Sequence, residues 1–204
     1  MTRRSVLAAT GLATLALSAC MSHKAPAPAG AQAPAAPQPA APAAPPPVPA
    51  AVKHSGPHAV AVLEPRGGSK VKGRAEFSEA DGKVTLVLTV TGLTPGEHAF
   101  HLHEKGDCSA PDATSAGGHW NPTSEAHGKW GAHPFHRGDV ANLVAGADGR
   151  ATLTFSTDLW SIGGDASRDV IGRALIVHAK ADDFTTQPTG GAGGRVACGV
   201  VAAD

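Results

Sequence analysis

The sequence predicts an all-β fold, on three observations. Apolar and polar residues alternate in short runs, as in KVTLVLTV at residues 83–90. Glycine, proline and aspartate stand at the breaks, and the dipeptides Asp81-Gly82 and Asp148-Gly149 are typical of hairpin turns. The chain has 25 glycines, no tyrosine and 4% aromatic residues, which suits short strands and glycine-rich loops better than thick helical packing.

Residues 1–19 have the features of a signal peptide. Arg3 and Arg4 precede an apolar run at residues 6–17 that is too short to span a bilayer. The run ends in LSAC, which resembles the bacterial lipobox, so we expect a lipid anchor at Cys20. The paired arginines also resemble a twin-arginine signal, and the export route stays open. The alternative, an uncleaved membrane helix, is disfavoured by the short run and the polar, proline-rich segment after it.

The next segment, residues 20–52, is expected to be the anchor and a disordered linker. Residues 25–51 are almost wholly alanine and proline, which lack the side chains to build a core and favour extended conformations. The folded domain is then expected at residues 53–204. We expect the protein to be exported to the periplasm or cell envelope and to stay anchored to the membrane.

The charge balance offers no sign of a nucleic-acid partner. The chain carries 17 basic and 17 acidic residues. Removing residues 1–19 leaves 15 basic and 17 acidic residues, a net charge of −2. The sequence contains no basic patch of the kind that binds nucleic acid.

Cysteine usage agrees with an oxidising compartment. If Cys20 carries lipid, Cys108 and Cys198 remain as an even pair among the three cysteines. We therefore predict a Cys108–Cys198 disulfide. The alternative is two buried free thiols, which would suit a cytosolic protein better.

Eight short strands are predicted from residue 59 onward, a number that suggests a sandwich or barrel. Two stretches, residues 106–138 and 181–195, do not fit the strand rhythm and are expected to be long functional loops. The predicted strands lie at residues 59–63, 70–78, 83–90, 99–104, 142–144, 151–156, 174–178 and 196–201.

Histidines and one aspartate suggest two metal sites. His101 and His103 flank one strand residue, so both imidazoles project from the same face. His178 ends another predicted strand and could converge on them, and an all-nitrogen, redox-active site favours copper. Three histidines and one aspartate would complete a tetrahedral zinc site. The alternative is one structural metal loop with incidental strand histidines. The first long loop and its end supply His119, His127, His133, His136 and Asp139.

Four motifs together resemble the copper/zinc superoxide dismutases, in particular the exported bacterial enzymes. They are GEHAFHLH at residues 96–103, GHWNP at 118–122, HRGD at 136–139 and GGRVACG at 193–199. The resemblance covers residues 59–203. It implies an eight-stranded Greek-key β-barrel, an immunoglobulin-like sandwich architecture, with two long functional loops.

The resemblance also implies a ligand for every metal position. It assigns His101, His103, His119 and His178 to copper, and His119, His127, His136 and Asp139 to zinc, so that His119 bridges the two ions. Asp182 is expected to join the outer nitrogens of His101 and His127. Arg195 is expected to attract and orient the anion beside copper, and Thr189 to narrow the channel.

The implied activity is dismutation of superoxide to oxygen and hydrogen peroxide, which would protect the cell envelope. Copper would alternate between two oxidation states, while zinc stays redox-silent and His119 bridges them. The rival functions are a copper-delivery or copper-buffering module on the same barrel, and a cell-surface structural domain. A delivery protein would more readily offer exposed thiolate or thioether ligands. Both a monomer and a homodimer are compatible with the sequence.

Overall fold

A computed structural model describes residues 56–204 of the chain. The predicted signal peptide at residues 1–19, the anchor at Cys20 and the linker at residues 20–52 lie outside the described residues. Within residues 56–204, no helix is both long and apolar enough to cross a bilayer.

The described chain consists almost entirely of strands and loops, which confirms the all-β prediction. All eight predicted strands are present, with ends that differ by a few residues. A ninth strand of two residues escapes the sequence pattern because so short a segment cannot show an alternation. The elements are β1 (His58–Pro65), β2 (Lys72–Ala80), β3 (Lys83–Thr91), β4 (Gly96–His103), a 3-10 turn (Thr114–Ala116), β5 (Asp139–Ala145), β6 (Ala151–Thr157), β7 (Ala174–His178), β8 (Arg195–Val200) and β9 (Ala202–Ala203).

The strands form one antiparallel sheet that curls into a nearly closed barrel. One half contains β6, β3, β2 and β1, and the other contains β8, β7, β4 and β5. β1 belongs to both halves, because its first residues pair with β2 while Glu64 and Pro65 pair with β8. β3–β6, β4–β7 and β1–β8 are neighbours that are not consecutive in sequence. This connectivity is a Greek key, as predicted.

The β2–β3 hairpin illustrates how the local sequence selects the structure. Asp81 and Gly82 form its turn, and both have positive φ angles, 52° and 72°. A two-residue turn with two left-handed residues matches the twist of the flanking strands, and Asp-Gly is a preferred pair for it. Along β3, every second residue is buried in the barrel core, as the alternation predicts.

β4 and β7 are unusual because they are buried on both faces. Phe100 and Leu102 point into the barrel core, whereas His101 and His103 point to its outer side. On that side Ile176 of β7 packs against Ala113 and other residues of the 104–138 connection. The first long loop therefore covers the outer surface of the barrel where the candidate histidines lie.

The long connections only partly match the prediction. The two predicted loops are present at residues 104–138 and 179–194, and we call them the first and second long loops. A third long connection, residues 158–173 between β6 and β7, was not predicted. The predicted disulfide is confirmed: Cys108 of the first long loop bonds to Cys198 of β8, with 5.8 Å between their Cα atoms.

Because the disulfide closes a 90-residue segment, it should contribute substantially to stability. The double substitution Cys108→Ala and Cys198→Ala should lower the free energy of unfolding of the metal-free protein by about 2–5 kcal/mol. Urea unfolding monitored by circular dichroism measures the change. Wild-type protein treated with reductant is the control and should match the double variant. Equal stabilities for the oxidised and reduced wild type would contradict the expectation.

Candidate metal centre

Three of the candidate histidines come from two neighbouring strands. His101 and His103 lie on the outer face of β4, and β4 pairs with β7. His178, the last residue of β7, therefore lies beside them. Its ring centroid is 4.9 Å from that of His101 and 5.7 Å from that of His103.

The first long loop adds His119 by running back along β4. His103 and His119 form an isolated antiparallel bridge, and the Trp120 N–H donates to the Leu102 carbonyl at 2.8 Å. The ring centroids of His101 and His119 are 4.1 Å apart. One potential ligand atom from each residue of this four-histidine cluster lies within 4.8 Å of the others; the cluster consists of His101, His103, His119 and His178.

A second group, the aspartate cluster, consists of His119, His127, His136 and Asp139. Asp139 is the first residue of β5 and directly follows the first long loop. Its Oδ1 lies 2.7 Å from His119 Nδ1, 3.0 Å from His127 Nδ1 and 3.1 Å from His136 Nδ1. Ligands at about 2.0 Å from a tetrahedral zinc ion lie about 3.3 Å from one another. The distances from Asp139 Oδ1 to the three ring nitrogens are therefore close to those expected between ligands of one zinc ion.

The outer nitrogens of the rings are occupied by protein acceptors. His101 Nε2 donates to Asp182 Oδ2 at 2.8 Å, and His127 Nε2 donates to Asp182 Oδ1 at 3.0 Å. Backbone carbonyls accept from the other rings, namely Gly117 from His103 Nδ1 at 3.0 Å, Glu125 from His136 Nε2 at 3.0 Å and Gly193 from His178 Nδ1 at 3.4 Å. These bonds set the orientation of each ring.

The inward nitrogens are buried and make no hydrogen bond within the described residues, although His127 Nδ1 and His136 Nδ1 face Asp139 Oδ1 at 3.0 and 3.1 Å. A buried polar atom without a partner is costly, and six of them aimed at two points fit the requirements of bound metal ions. His119 takes part in both clusters, because its Nε2 is one of these atoms while its Nδ1 faces Asp139. The six atoms are His101 Nδ1, His103 Nε2, His119 Nε2, His127 Nδ1, His136 Nδ1 and His178 Nε2.

Burial and neighbouring charged groups shift the pKa values of residues in the two clusters. Burial lowers the pKa of His103 and of His178 well below the usual range, and it lowers that of His119 to about 4. These imidazoles are therefore neutral at neutral pH, with lone pairs available to a metal. Burial would raise the pKa of Asp139, but the hydrogen bonds that His119 Nδ1 and the Gly128 N–H donate to it help to outweigh burial and keep the carboxylate ionised.

His127 behaves in the opposite way. Burial disfavours its charged form, but the carboxylates of Asp139 and Asp182 outweigh burial and raise its pKa to about 9. Without metal, this ring holds a proton between two anions. A metal ion that binds at the aspartate cluster must displace that proton.

Arg195 begins β8 and lies beside the four-histidine cluster. Its guanidinium donates to the carbonyls of Ala113 and Gly117, both at 2.6 Å. Burial lowers its pKa and Asp112 opposes the shift, but a guanidinium stays charged in proteins. Its charge also lowers the pKa of His103 and of His178, which places it close to both rings. Thr189 lies half-buried in that loop.

Sequence reasoning assigned no role to several residues that support the centre, among them Asn142 and Asn121. The Asn142 side chain on β5 accepts from the Asp182 N–H at 2.8 Å and donates to the Asp182 carbonyl at 3.0 Å. The Asn121 side chain makes the same pair of bonds with Glu125, whose carbonyl holds His136. Asn121 could have been identified from the sequence, because it lies in the GHWNP motif. Asn142 had no local signal.

Comparisons with known proteins agree with this geometry. The family described as "Copper/zinc superoxide dismutase (SODC)" matches residues 71–201. "Superoxide dismutase [Cu-Zn]" of Caulobacter vibrioides is 45% identical over 148 residues, which cover 70% of this chain and 84% of the relative. "Extracellular superoxide dismutase [Cu-Zn]" of Brugia pahangi is 40% identical over 153 residues, which cover 71% of this chain and 75% of the relative.

A solved structure supports the fold independently. The crystal structure of the clock protein EA4 superposes with a TM-score of 0.65 and 38% sequence identity, covering 75% of this chain and 99% of that protein. The family match at residues 71–201 contains β2 to β8, most of the barrel, together with both long loops and every residue of the two clusters. The chain therefore belongs to the copper/zinc superoxide dismutase family and is an oxidoreductase that dismutates superoxide with copper and zinc.

Proposed function

We propose that the four-histidine cluster binds copper, that the aspartate cluster binds zinc, and that His119 contacts both ions. The observation that carries this assignment is the set of six buried ring nitrogens without hydrogen-bond partners among the described residues. An all-imidazole site suits copper, whereas the carboxylate of Asp139 suits zinc and offsets part of its charge. Four protein ligands leave the zinc site closed, so its role is structural.

Copper held by the four-histidine cluster would supply the one-electron redox chemistry that dismutation requires. The protein contributes the fixed positions of the rings. Asp182 contacts His101 at the copper site and His127 at the zinc site, so one carboxylate aligns ligands of both ions. His119 Nε2 can hold a proton when it is not bound to metal, which places a proton donor beside the reacting anion.

Arg195 attracts superoxide and orients it in this proposal. The two carbonyl acceptors hold its guanidinium in a fixed position, and a fixed positive charge beside a narrow site speeds the arrival of a small anion. Thr189 belongs to the second long loop, which ends just before Arg195, and we assign it to the wall of the channel.

For location, we propose export through the signal at residues 1–19 and membrane anchoring at Cys20. The Cys108–Cys198 disulfide supports an oxidising compartment, and one relative carries the word "extracellular" in its name. An enzyme held there by the linker at residues 20–52 would remove superoxide within the cell envelope and protect its components. Either a monomer or a homodimer would serve this role.

Substitution of His119 tests the ligand assignment most directly. His119→Ala removes a ligand from both clusters, so superoxide removal should fall by at least about 100-fold, and both copper and zinc should drop below about one ion per chain. Pulse radiolysis and elemental analysis measure the two quantities. His133→Ala is the matched control, because His133 is an exposed histidine of the same loop that pairs with Glu125. The assignment fails if both variants keep both metals.

Substitution of Arg195 tests its role in attracting superoxide. Arg195→Ala should keep both metals but slow the second-order reaction about 10- to 100-fold and flatten its dependence on ionic strength. Arg195→Lys keeps the charge without the paired carbonyl contacts, so its rate should lie between the two. An unchanged salt dependence in Arg195→Ala would remove the arginine from the proposal.

Substitution of Cys20 tests the anchor. In cells that express the full chain, the wild type should fractionate with membranes, whereas Cys20→Ser should not receive lipid. Mass spectrometry of the amino-terminal peptide should detect acyl chains on the wild type alone. Cys108→Ser is the control, because its loss removes a disulfide and leaves the anchor. Wild-type protein without acyl chains would refute the anchor.

A further inference from the structure

We propose that Gln187 is a positioning residue for zinc, which sets how long the aspartate cluster retains its ion by fixing the main chain of His127. The inference rests on the proposed function, in which the aspartate cluster binds zinc. It concerns a side chain of the second long loop, which contributes no ligand to either cluster.

The contact consists of two hydrogen bonds between one carboxamide and one residue. The His127 N–H donates to Gln187 Oε1 at 2.9 Å, and Gln187 Nε2 donates to the His127 carbonyl at 2.8 Å. A planar amide that pairs with both main-chain groups of one residue fixes its position and its direction. Asp182 of the same loop holds the ring of His127. The second long loop therefore makes hydrogen bonds to both the backbone and the ring of His127.

The loop prepares Gln187 for this contact. The Asp183 carboxylate accepts from the N–H groups of Thr185 and Thr186, which folds the turn just before Gln187. Gly190 closes the turn by donating its N–H to the Thr186 carbonyl at 2.7 Å. Its φ is +69°, and a Cβ there would collide with Asp182 Oδ1 and approach His127 Nε2. The turn therefore packs directly on the hydrogen bond between Asp182 and His127.

The same arrangement recurs around the centre. The described residues contain three carboxamide side chains, and each pairs with the main-chain N–H and C=O of one residue. Asn121 and Asn142 act on Glu125 and Asp182, which are partners of ligands. Gln187 acts on a ligand itself, and it does so from the opposite loop. His127 belongs to the aspartate cluster alone, so the effect of Gln187 should be selective for zinc.

Release of zinc from the copper- and zinc-loaded protein tests the proposal. A chromophoric chelator should withdraw zinc from Gln187→Ala about tenfold faster than from the wild type, because partners of metal ligands affect retention by about 10- to 100-fold. Gln187→Glu should also release zinc faster, since its carboxylate keeps the acceptor but turns a negative oxygen toward the His127 carbonyl. Copper release should change by less than about twofold in both variants.

Thr185→Ala is the matched control. Its hydroxyl bonds to Asp183 within the turn and does not contact His127, so this variant loosens the same loop without touching the ligand. Cobalt(II) placed at the zinc site gives a second measurement, because its visible spectrum should change in Gln187→Ala and stay unchanged in Thr185→Ala. Equal zinc release from Gln187→Ala and Thr185→Ala would overturn the inference and leave the zinc assignment intact. Failure of the wild type to bind zinc would overturn both.

Discussion

The centre depends on how each imidazole divides its two nitrogens. One nitrogen donates to a protein acceptor, which fixes the ring, and the other is buried and free of protein hydrogen bonds. A metal ligand needs both the outer acceptor and the free inward nitrogen. A ring without an outer acceptor could rotate, and a buried lone pair without a metal would be an uncompensated cost of folding. His119 is the exception that joins the clusters, because its two nitrogens face different sites.

The barrel makes this division possible by burying β4 and β7 on both faces. Their inward residues complete an apolar core, while their outward residues include histidines and the apolar Ala174 and Ile176 under the first long loop. The Cys108–Cys198 bond holds that loop against β8. Arg195 lies on the same strand and binds carbonyls of the same loop. The first long loop, Arg195, β4 and β7 thus form one rigid support. This support holds the buried inward ring nitrogens in place although they make no hydrogen bond within the described residues.

The fold could be predicted because it follows local rules. Alternation in residues 83–90 and the Asp81-Gly82 turn are patterns of adjacent residues, and period-two spacing places His101 and His103 on one face. The ligand residues of the candidate site could be predicted from the spacing of the histidines and from the family resemblance. Asp182 entered through the family resemblance, and Asn142 and Gln187 were missed because their partners are 40 and 60 residues away. The connection at residues 158–173 was missed as well, since no cluster of ligands marks it.

β1 lies in both halves of the barrel, and it pairs with β8 and β9 from the far end of the chain. The barrel therefore cannot close until β8 and β9 pair with β1. Cys198 and Arg195 both lie on β8, so the disulfide and the contacts of Arg195 with the first long loop also require this strand in place. Closure of the barrel thus depends on contacts between residues far apart in the sequence, which form slowly because a long stretch of chain must first be brought together.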